Sequence, residues 1–348
     1  MPKLRQGSAF ASWRSVSVTL TSVVVPSYRK GGLDVLFDSL ALQTFTDFEL
    51  IIADELHSHR ADIVSDKSKY YPFPIKHIAP DGGPELSNYC RSINNAIAHA
   101  SGELIVIQTD YTWMPPDCLA NHWFNYQKSD RKSCFMLDNH CTTLPPLHPE
   151  FRGYGPDLEL FTEDRREEIE AEINAGADQY AADLAAGKLD GLMWSIFAED
   201  GHIINTPNGP AWLDHKRGMS ALPVTRSHTK GGQSLDPNWA SLKNEGIPTE
   251  AFLAVNGIDE RLDGSHLYQD QSFAWCVARA GYRWTTAPGG EVYIINPRTK
   301  MSCKRVSRPM RFGSDSNEAR FKATQASSAV RVNEHRDLRK ERDANVGV

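Results

Sequence analysis

Three stretches of this sequence place acids where proton transfer or ion binding could occur. The first runs from Val255 to Trp284, VNGIDERLDGSHLYQDQSFAWCVARAGYRW. An apolar run ends at Asn256-Gly257, a charged loop follows, and a helical pattern begins near Asp270. Phe273, Val277 and Ala280 form one stripe of that helix, and Gly281 stops it. Asp270 therefore lies at a loop-to-helix junction, where helical N–H groups favour an ionised carboxylate. Such a carboxylate can serve as a general base; it can equally cap the helix and do no chemistry. The other two stretches are Asp54-Glu55, after the apolar run FELIIA, and Thr109-Asp110-Tyr111, after LIVI. Asp259, Glu260 and Asp263 read as loop and turn residues.

The elements that must position these acids alternate in type. Thr21 to Val25 is a short β-branched strand ended by Pro26-Ser27-Tyr28, and Leu33, Leu36, Phe37, Leu40 and Leu42 fit a helix. Phe48 to Ala53 reads as a buried strand, Ile75 to Ile78 as a short strand and Leu104 to Ile107 as a fourth strand. Tyr89, Ile93, Ala96, Ile97 and Ala100 make a helix that ends at Gly102. This order predicts a parallel α/β sheet. Ligands of such sheets bind beyond the carboxyl ends of the strands. Those ends carry Pro26-Ser27-Tyr28-Arg29, Asp54-Glu55 and Thr109-Asp110-Tyr111.

Around that sheet the character changes. Residues 1–18 read as a loose leader. Residues 157–200 are acidic and Ala-rich and predict a helical insertion, with Ile169, Ile173, Tyr180 and Leu184 on its apolar stripe. Residues 201–248 are rich in Gly, Pro, Asn and His, which suits long loops around a binding site.

At 348 residues, 40% hydrophobic and 24% charged, the composition is that of a globular protein. No apolar run reaches the roughly 20 residues needed to span a bilayer. The N-terminal region reads as a leader and a first strand rather than a signal peptide, so a cytoplasmic location is expected. Cysteines 90, 118, 134, 141, 276 and 303 lack CxxC spacing and read as free thiols. A zinc site from Cys134, His140 and Cys141 would match no common cage. Net charge is −6, yet from Arg298 onward 13 Lys and Arg face 6 Asp and Glu, a local +7. That tail is expected either as a solvated extension or as a patch for nucleic acid or a membrane surface.

Three blocks, in order, resemble one family. VVVPSYRKGGLDVLFDSLALQTFTDFELIIADE resembles the opening of an inverting, family-2-like glycosyltransferase: Pro26 ends a strand, Gln43-Thr44 follows a helix, and Asp54 ends the next strand. GGPELSNYCRSINNAIAHASGELIVIQTDYTWMPPDCL resembles the family's middle block, with a Gly-Glu step, an acidic metal-type motif and a Pro-Asp-x-Leu close. WASLKNEGIPTEAFLAVNGIDERLDGSHLYQDQSFAWCVARAGYRW resembles its acceptor and galactosyltransferase-like catalytic block. The resemblance implies a GT-A fold, the nucleotide-diphospho-sugar transferase architecture, with a mostly parallel central sheet flanked by helices and a helical insertion. It implies a catalytic domain over about 19–300 and a basic extension over 301–348.

It also implies roles. Asp54 would accept the N–H of a uracil ring, and Pro26 and Tyr28 would wall that ring. Arg29 and Arg91 would reach phosphates, since a guanidinium pairs with them bidentately. Asn94-Asn95 stands where the family usually has Arg-Asn. Asp110 would hold Mg²⁺ or Mn²⁺ against the diphosphate. The chain departs from the family here, with one carboxylate where two or three are common, and Asn296 near the place of a histidine. Arg298 or Lys300 could carry the counter-charge instead. Asp270, in Gln269-Asp270, matches the base that takes the acceptor proton during a single inverting displacement. Lys243-Asn244 would orient backbone near the donor sugar, and Trp212, Trp239 and His266 could contact the acceptor. The partners implied are a nucleotide-sugar donor, a UDP-sugar, and an acceptor glycan, lipid-linked sugar or modified nucleic acid; no transmembrane segment is expected, and the sequence sets no oligomeric state. The alternative is a glycan- or nucleotide-binding module whose GT-A site has degenerated. Nucleotidyl transfer would require a Gly-rich, Lys-bearing phosphate loop that the sequence lacks.

Overall fold

Alternation along the first strands decides the layering. In β1 (Thr21–Ser27), Val24 faces one side of the sheet while Val23 and Val25 face the other. In β2 (Phe48–Asp54), Ile51 and Ala53 join Val24, and Leu50 and Ile52 join Val23. These strands are buried on both faces, so they read as continuous apolar runs. The structure is a computed structural model. It describes residues 19–27, 33–79, 89–110, 112–137, 139–143, 201–206, 209–214, 218–221, 224–226, 234–263, 265–266, 268–290, 292–296, 311–312 and 315–347. The expected leader (1–18) and helical insertion (157–200) lie outside the described residues.

With β3 (Ile75–Ile78), β4 (Leu104–Ile107), β5 (Ser133–Met136), β6 (Glu245–Pro248) and β7 (Arg283–Thr286), the main sheet runs β7-β5-β6-β4-β1-β2-β3. β6 is antiparallel to both neighbours; the other pairs are parallel. One face is covered by α1 (Leu33–Ala41) and α4 (Cys118–Lys128). The other is covered by α3 (Tyr89–Ala98), α5 (Thr249–Val255) and α6 (Gln269–Arg279). This is the mixed, mostly parallel sheet expected, with helices on both sides.

Four features differ from the sequence reading. β1 extends through Pro26 and Ser27. Val24 O accepts from Gln108 N on the β4 side, and Ser27 O accepts from Glu55 N on the β2 side. Alternation therefore turns the Pro26 nitrogen towards β4, beyond the last ladder pair at Val24↔Ile107, so its missing N–H breaks no bond. A helix unsignalled by apolar period, α2 (His57–Ser68), connects β2 to β3; its buried residues are Arg60 and Val64, one turn apart. Its inward stripe begins with an arginine, which hydrophobic patterning passes over.

Third, the stretch expected as loops contains strands. Gly201–Thr206, Gly209–Asp214 and Gly218–Ala221 form an antiparallel sheet, and Val224–Arg226 joins Asn139–Thr143, Val292–Asn296 and Thr112–Trp113 in another. Fourth, the described part of the basic tail is not solvated chain. It forms α7 (Asp315–Ala326) and α8 (Leu338–Val346), and Leu338 is fully buried. Three of its arginines bond to the rest of the protein. Arg336 pairs with Glu260 at 2.5 Å, Arg339 with Glu250 at 2.5 Å, and Arg342 donates to Ala100 O at 2.8 Å. Apolar periodicity cannot signal a segment held by polar contacts.

Candidate active site

At the carboxyl ends of β1, β2 and β4 the chain builds a buried polar relay. Arg60 Nε and Nη2 donate to Asp54 Oδ2 and Oδ1 at 2.5 and 2.7 Å. Leu56 N donates to Asp54 Oδ1 at 2.8 Å, and His77 Nε2 lies 2.7 Å from Oδ2. Arg60 Nη2 also donates to Ser27 Oγ at 2.6 Å, and Ser27 Oγ donates to Asp110 Oδ2 at 3.2 Å. Burial opposes the Asp54 charge, but Arg60 and His77 overcome it and hold the carboxyl well below the usual range. The relay thus joins the two strand-end aspartates through one fully buried guanidinium.

On the opposite side of β4 stands the start of α6. Tyr268, left-handed at φ 69°, occupies the N-cap position, and no side chain caps this helix. Asp270 sits inside the first turn and makes no hydrogen bond among the described residues. The N-cap alternative therefore fails. Burial pushes its carboxyl up to about 7, with the Lys243 charge opposing the rise. A carboxylate poised there is matched to proton abstraction near neutral pH.

The loop before β6 is bonded to the first turn of α6 at Gln271 and to Gln108 after β4. Gln271 Nε2 reaches Ala240 O at 3.4 Å. Leu242 and Asn244 are both left-handed, at φ 45° and 53°, which side chains rarely adopt. Asn244 is buried; its Oδ1 accepts from Gln108 Nε2 and His122 Nε2, both at 2.8 Å, and its Nδ2 donates to Gly290 O at 2.9 Å. Burial drives the His122 imidazole down to about 4, so it is neutral, and the network assigns its proton to Nε2. Gly246 makes this possible, since a Cβ there would lie 2.3 Å from the Phe135 ring and 2.8 Å from His122 Nδ1.

The loop after α5 is fixed from two sides. Gly257, at φ 86°, lies so close to Asn94 that a Cβ would meet Oδ1 at 2.3 Å. Asn94 donates to Ile258 O and Glu260 Oε1 and accepts from Ile258 N. From the tail, Asn333 donates to Asn256 O and Ile258 O and accepts from Glu260 N, while Asn256 Nδ2 donates to three carbonyls over 332–336. Asp263 then accepts from Cys90 N and Arg91 N at 2.7 and 3.1 Å and caps α3; burial raises its carboxyl to about 7.

Of the residues picked from sequence, Pro26, Asp54 and Asp110 meet at one sheet edge. Arg91 is partly exposed, with Nε 3.4 Å from Glu260 Oε2. Tyr28, Arg29, Arg298 and Lys300 lie outside the described residues, as do the side chains of Trp212, His266 and Asn296. Trp239 is exposed, beside α6 in the short Pro237–Trp239 turn. Sequence reasoning missed Arg60, Asn333 and Glu245. Arg60 left one signal, its spacing of four from Val64.

A divalent cation would find one carboxylate here. Asp110 is buried with Oδ2 engaged by Ser27, and no group of three His, Cys, Asp or Glu among the described residues could cage an ion. These residues do not fit a protein-built metal site.

Residues 22–178 match the family described as Glycosyl transferase family 2. Among solved structures, S. aureus TarS 1–349 in complex with UDP aligns at a TM-score of 0.50 with 12% identity, over 94% of this chain and 70% of that one. TarS 1–349 with UDP-GlcNAc aligns at 0.47 and 13%, over 81% and 60%. GalNAc-T7 with UDP, GalNAc and Mn²⁺ aligns at 0.45 and 14%, over 80% and 43%. No curated protein matches the chain. The sheet order and the likeness to TarS 1–349 with UDP, at a TM-score of 0.50, define a GT-A-type α/β fold. More particularly, the chain is a glycosyltransferase with the GT-A fold, its family 2 signature lying in residues 22–178.

Proposed function

We propose that the chain transfers a sugar from a nucleoside-diphosphate sugar, a UDP-sugar, to an acceptor hydroxyl with inversion. Asp270 is the general base. The observation that carries this is Asp270 itself: partly exposed, unbonded in the first turn of α6, with its proton affinity raised to about 7. It takes the proton as the acceptor oxygen attacks the anomeric carbon from the face opposite the diphosphate. One displacement inverts configuration and needs no enzyme nucleophile.

Pro26, Tyr28 and Asp54 form the base and ribose side of this proposal, and Arg29, Arg91 and Asp110 the diphosphate side. With four donors on its oxygens, Asp54 supports the reading as the anchor of that edge. The uridine choice follows the UDP of the TarS structure. Mg²⁺ or Mn²⁺ would take one ligand from Asp110 and the rest from the diphosphate and water. We take 19–300 as the catalytic domain, with 157–200 inserted in it. The described part of 301–348 packs on that domain through Glu260 and Asn256. Buried free thiols at Cys90, Cys118, Cys134 and Cys276 support a reducing, cytoplasmic setting. No helix among the described residues is long and apolar enough to cross a membrane.

The test is a panel of nucleotide sugars with Mn²⁺ and with glycan, lipid-linked sugar and modified nucleic-acid acceptors. At least one donor should be turned over, and Asp270→Asn should abolish turnover while keeping donor affinity. Full activity in that variant would overturn the base assignment. A second reading, a binding module, is favoured by the single acid in residues 108–113. Calorimetry showing donor affinity without turnover on any acceptor would establish it.

A further inference from the structure

Glu245 is a departure in the middle of the sheet. It opens β6, between β4 and β5, paired in register with Ile107 and Met136, and its side chain has no exposure to solvent. A carboxyl group rarely occupies such a position without a purpose. Its Oε1 accepts from Ser241 N at 2.8 Å, so the carboxyl folds back on the loop of 241–244. That loop carries two left-handed residues, Leu242 and Asn244, and contains Lys243, whose charge acts on Asp270. Ala240, the next residue back, receives the Gln271 amide beside Asp270. Glu245 Oε2 is buried and has no hydrogen-bond partner. An ionised oxygen in that position would be strongly disfavoured; a protonated one is far cheaper.

We propose that Glu245 is a positioning residue for the transfer reaction. It keeps its proton at neutral pH, secures the Ser241–Asn244 loop against Asp270, and sets the alkaline limit of activity when it ionises. The proposal rests on the Asp270 reading above. The charged and titratable groups around it are Lys243 on the loop, Asp270 on α6 and Cys134 on β5. Cys134 is a neutral thiol, its proton affinity raised by burial and by Glu245. Burial pushes Glu245 up to about 8; the Asp270 charge adds to the rise, and the Ser241 and Leu242 N–H groups and Lys243 oppose it. Because the Asp270 charge raises Glu245, the proposal orders the two carboxyls. Asp270 ionises first and Glu245 second. In the interval the pocket holds one carboxylate facing one ammonium. Above it, a second carboxylate competes with Asp270 for the Lys243 charge and loosens the 241–244 loop, and donor KM rises.

The sign for stability is checkable apart from catalysis. An acid whose folded value exceeds its unfolded one favours the folded state when protonated. Folded stability from Glu245 is therefore highest below its unfolded value, about 4.3, and falls as pH rises to about 8.

The experiment compares wild type with Glu245→Gln, which keeps the shape and an acceptor for Ser241 N but cannot ionise. In wild type, kcat/KM should fall by about tenfold per pH unit above about 8, through donor KM. In Glu245→Gln, whatever its absolute rate, the acid limb should stay and the alkaline limb should vanish. The melting temperature of the variant relative to wild type should rise steadily from about pH 5 to 8. An alkaline limb with the same midpoint in both proteins overturns the proposal, and so does a melting difference that does not change with pH. If no donor is turned over, the proposed function fails while the melting comparison still decides on Glu245. Should the variant not fold, infrared difference spectra of wild type decide. A protonated buried carboxyl persisting above the Asp270 transition supports the proposal, and its absence overturns it.

Discussion

Asp54 and Asp270 make an instructive pair. Burial acts to raise the proton affinity of both, yet one is saturated with partners and the other, partly exposed, is left without a hydrogen bond. Around Asp54, Arg60 and His77 more than offset burial, and the proton affinity falls. Around Asp270 only the Lys243 charge opposes burial, and the affinity rises to about 7. Desolvation is the leading influence on each; the partners decide the direction. A buried acid with four donors is scaffold. A buried acid with none is available for chemistry.

The largest expected effect tests the second half of that contrast. Asp270→Asn should lower kcat by about 10²–10⁴ with donor affinity little changed, as measured by steady-state kinetics and calorimetry. Asp54→Ala should act on stability, at a cost of about 3–5 kcal/mol by chemical denaturation, because Arg60 is left charged and buried. If Asp54→Ala instead spared the fold and removed only uridine binding, the scaffold assignment would be broken.

Asn333→Ala should cost about 2–3 kcal/mol, since it strands the Glu260 N–H and the Asn256 carbonyl, while Ile258 O keeps Asn94. Hydrogen exchange should then quicken in α7 and α8. The pH response sharpens the pair further. Asp54 stabilises the fold above about pH 4 and loses that effect only in more acid solution, because its folded value is depressed. Asp270 does the reverse: its penalty grows from about pH 4 to its folded value near 7. Activity should accordingly fall about tenfold per unit below 7 while the fold remains intact. The smallest effect belongs to the surface. Arg131→Ala removes an exposed pair with Glu103 at 3.0 Å and should change stability by about 0.5 kcal/mol or less.

What was legible in the sequence follows from how each part is held. β2 and β4 appear as apolar runs because their faces are packed by hydrocarbon, and the start of α6 appears because its stripe runs Phe273, Val277. The strand-end acids were visible because turns follow immediately. Arg60 was not visible, for its helix buries a guanidinium where patterning looks for a leucine. The tail was not visible either, because Asn256, Asn333 and Arg336 secure it through polar bonds whose partners lie some 75 residues apart. The strands over 201–226 were obscured by glycine and proline, which read as loop. Glu245 is plain in the sequence, but its burial depends on β6 lying between β4 and β5, a crossover that no local pattern encodes.

The Asn256–Asn333 clasp also fixes an order in time. Ribosomes add about 5–20 residues per second, so Asn333 is made several seconds after the loop it must hold. Through that interval the Glu260 backbone N–H and the Asn256 side chain lack their native partners, and Arg342 has yet to reach the Ala100 carbonyl 242 positions back. The segment from Asn256 to Glu260 therefore completes its bonding last, and a nascent chain halted short of residue 333 would carry strands β1 to β4 beside an unfinished loop after α5.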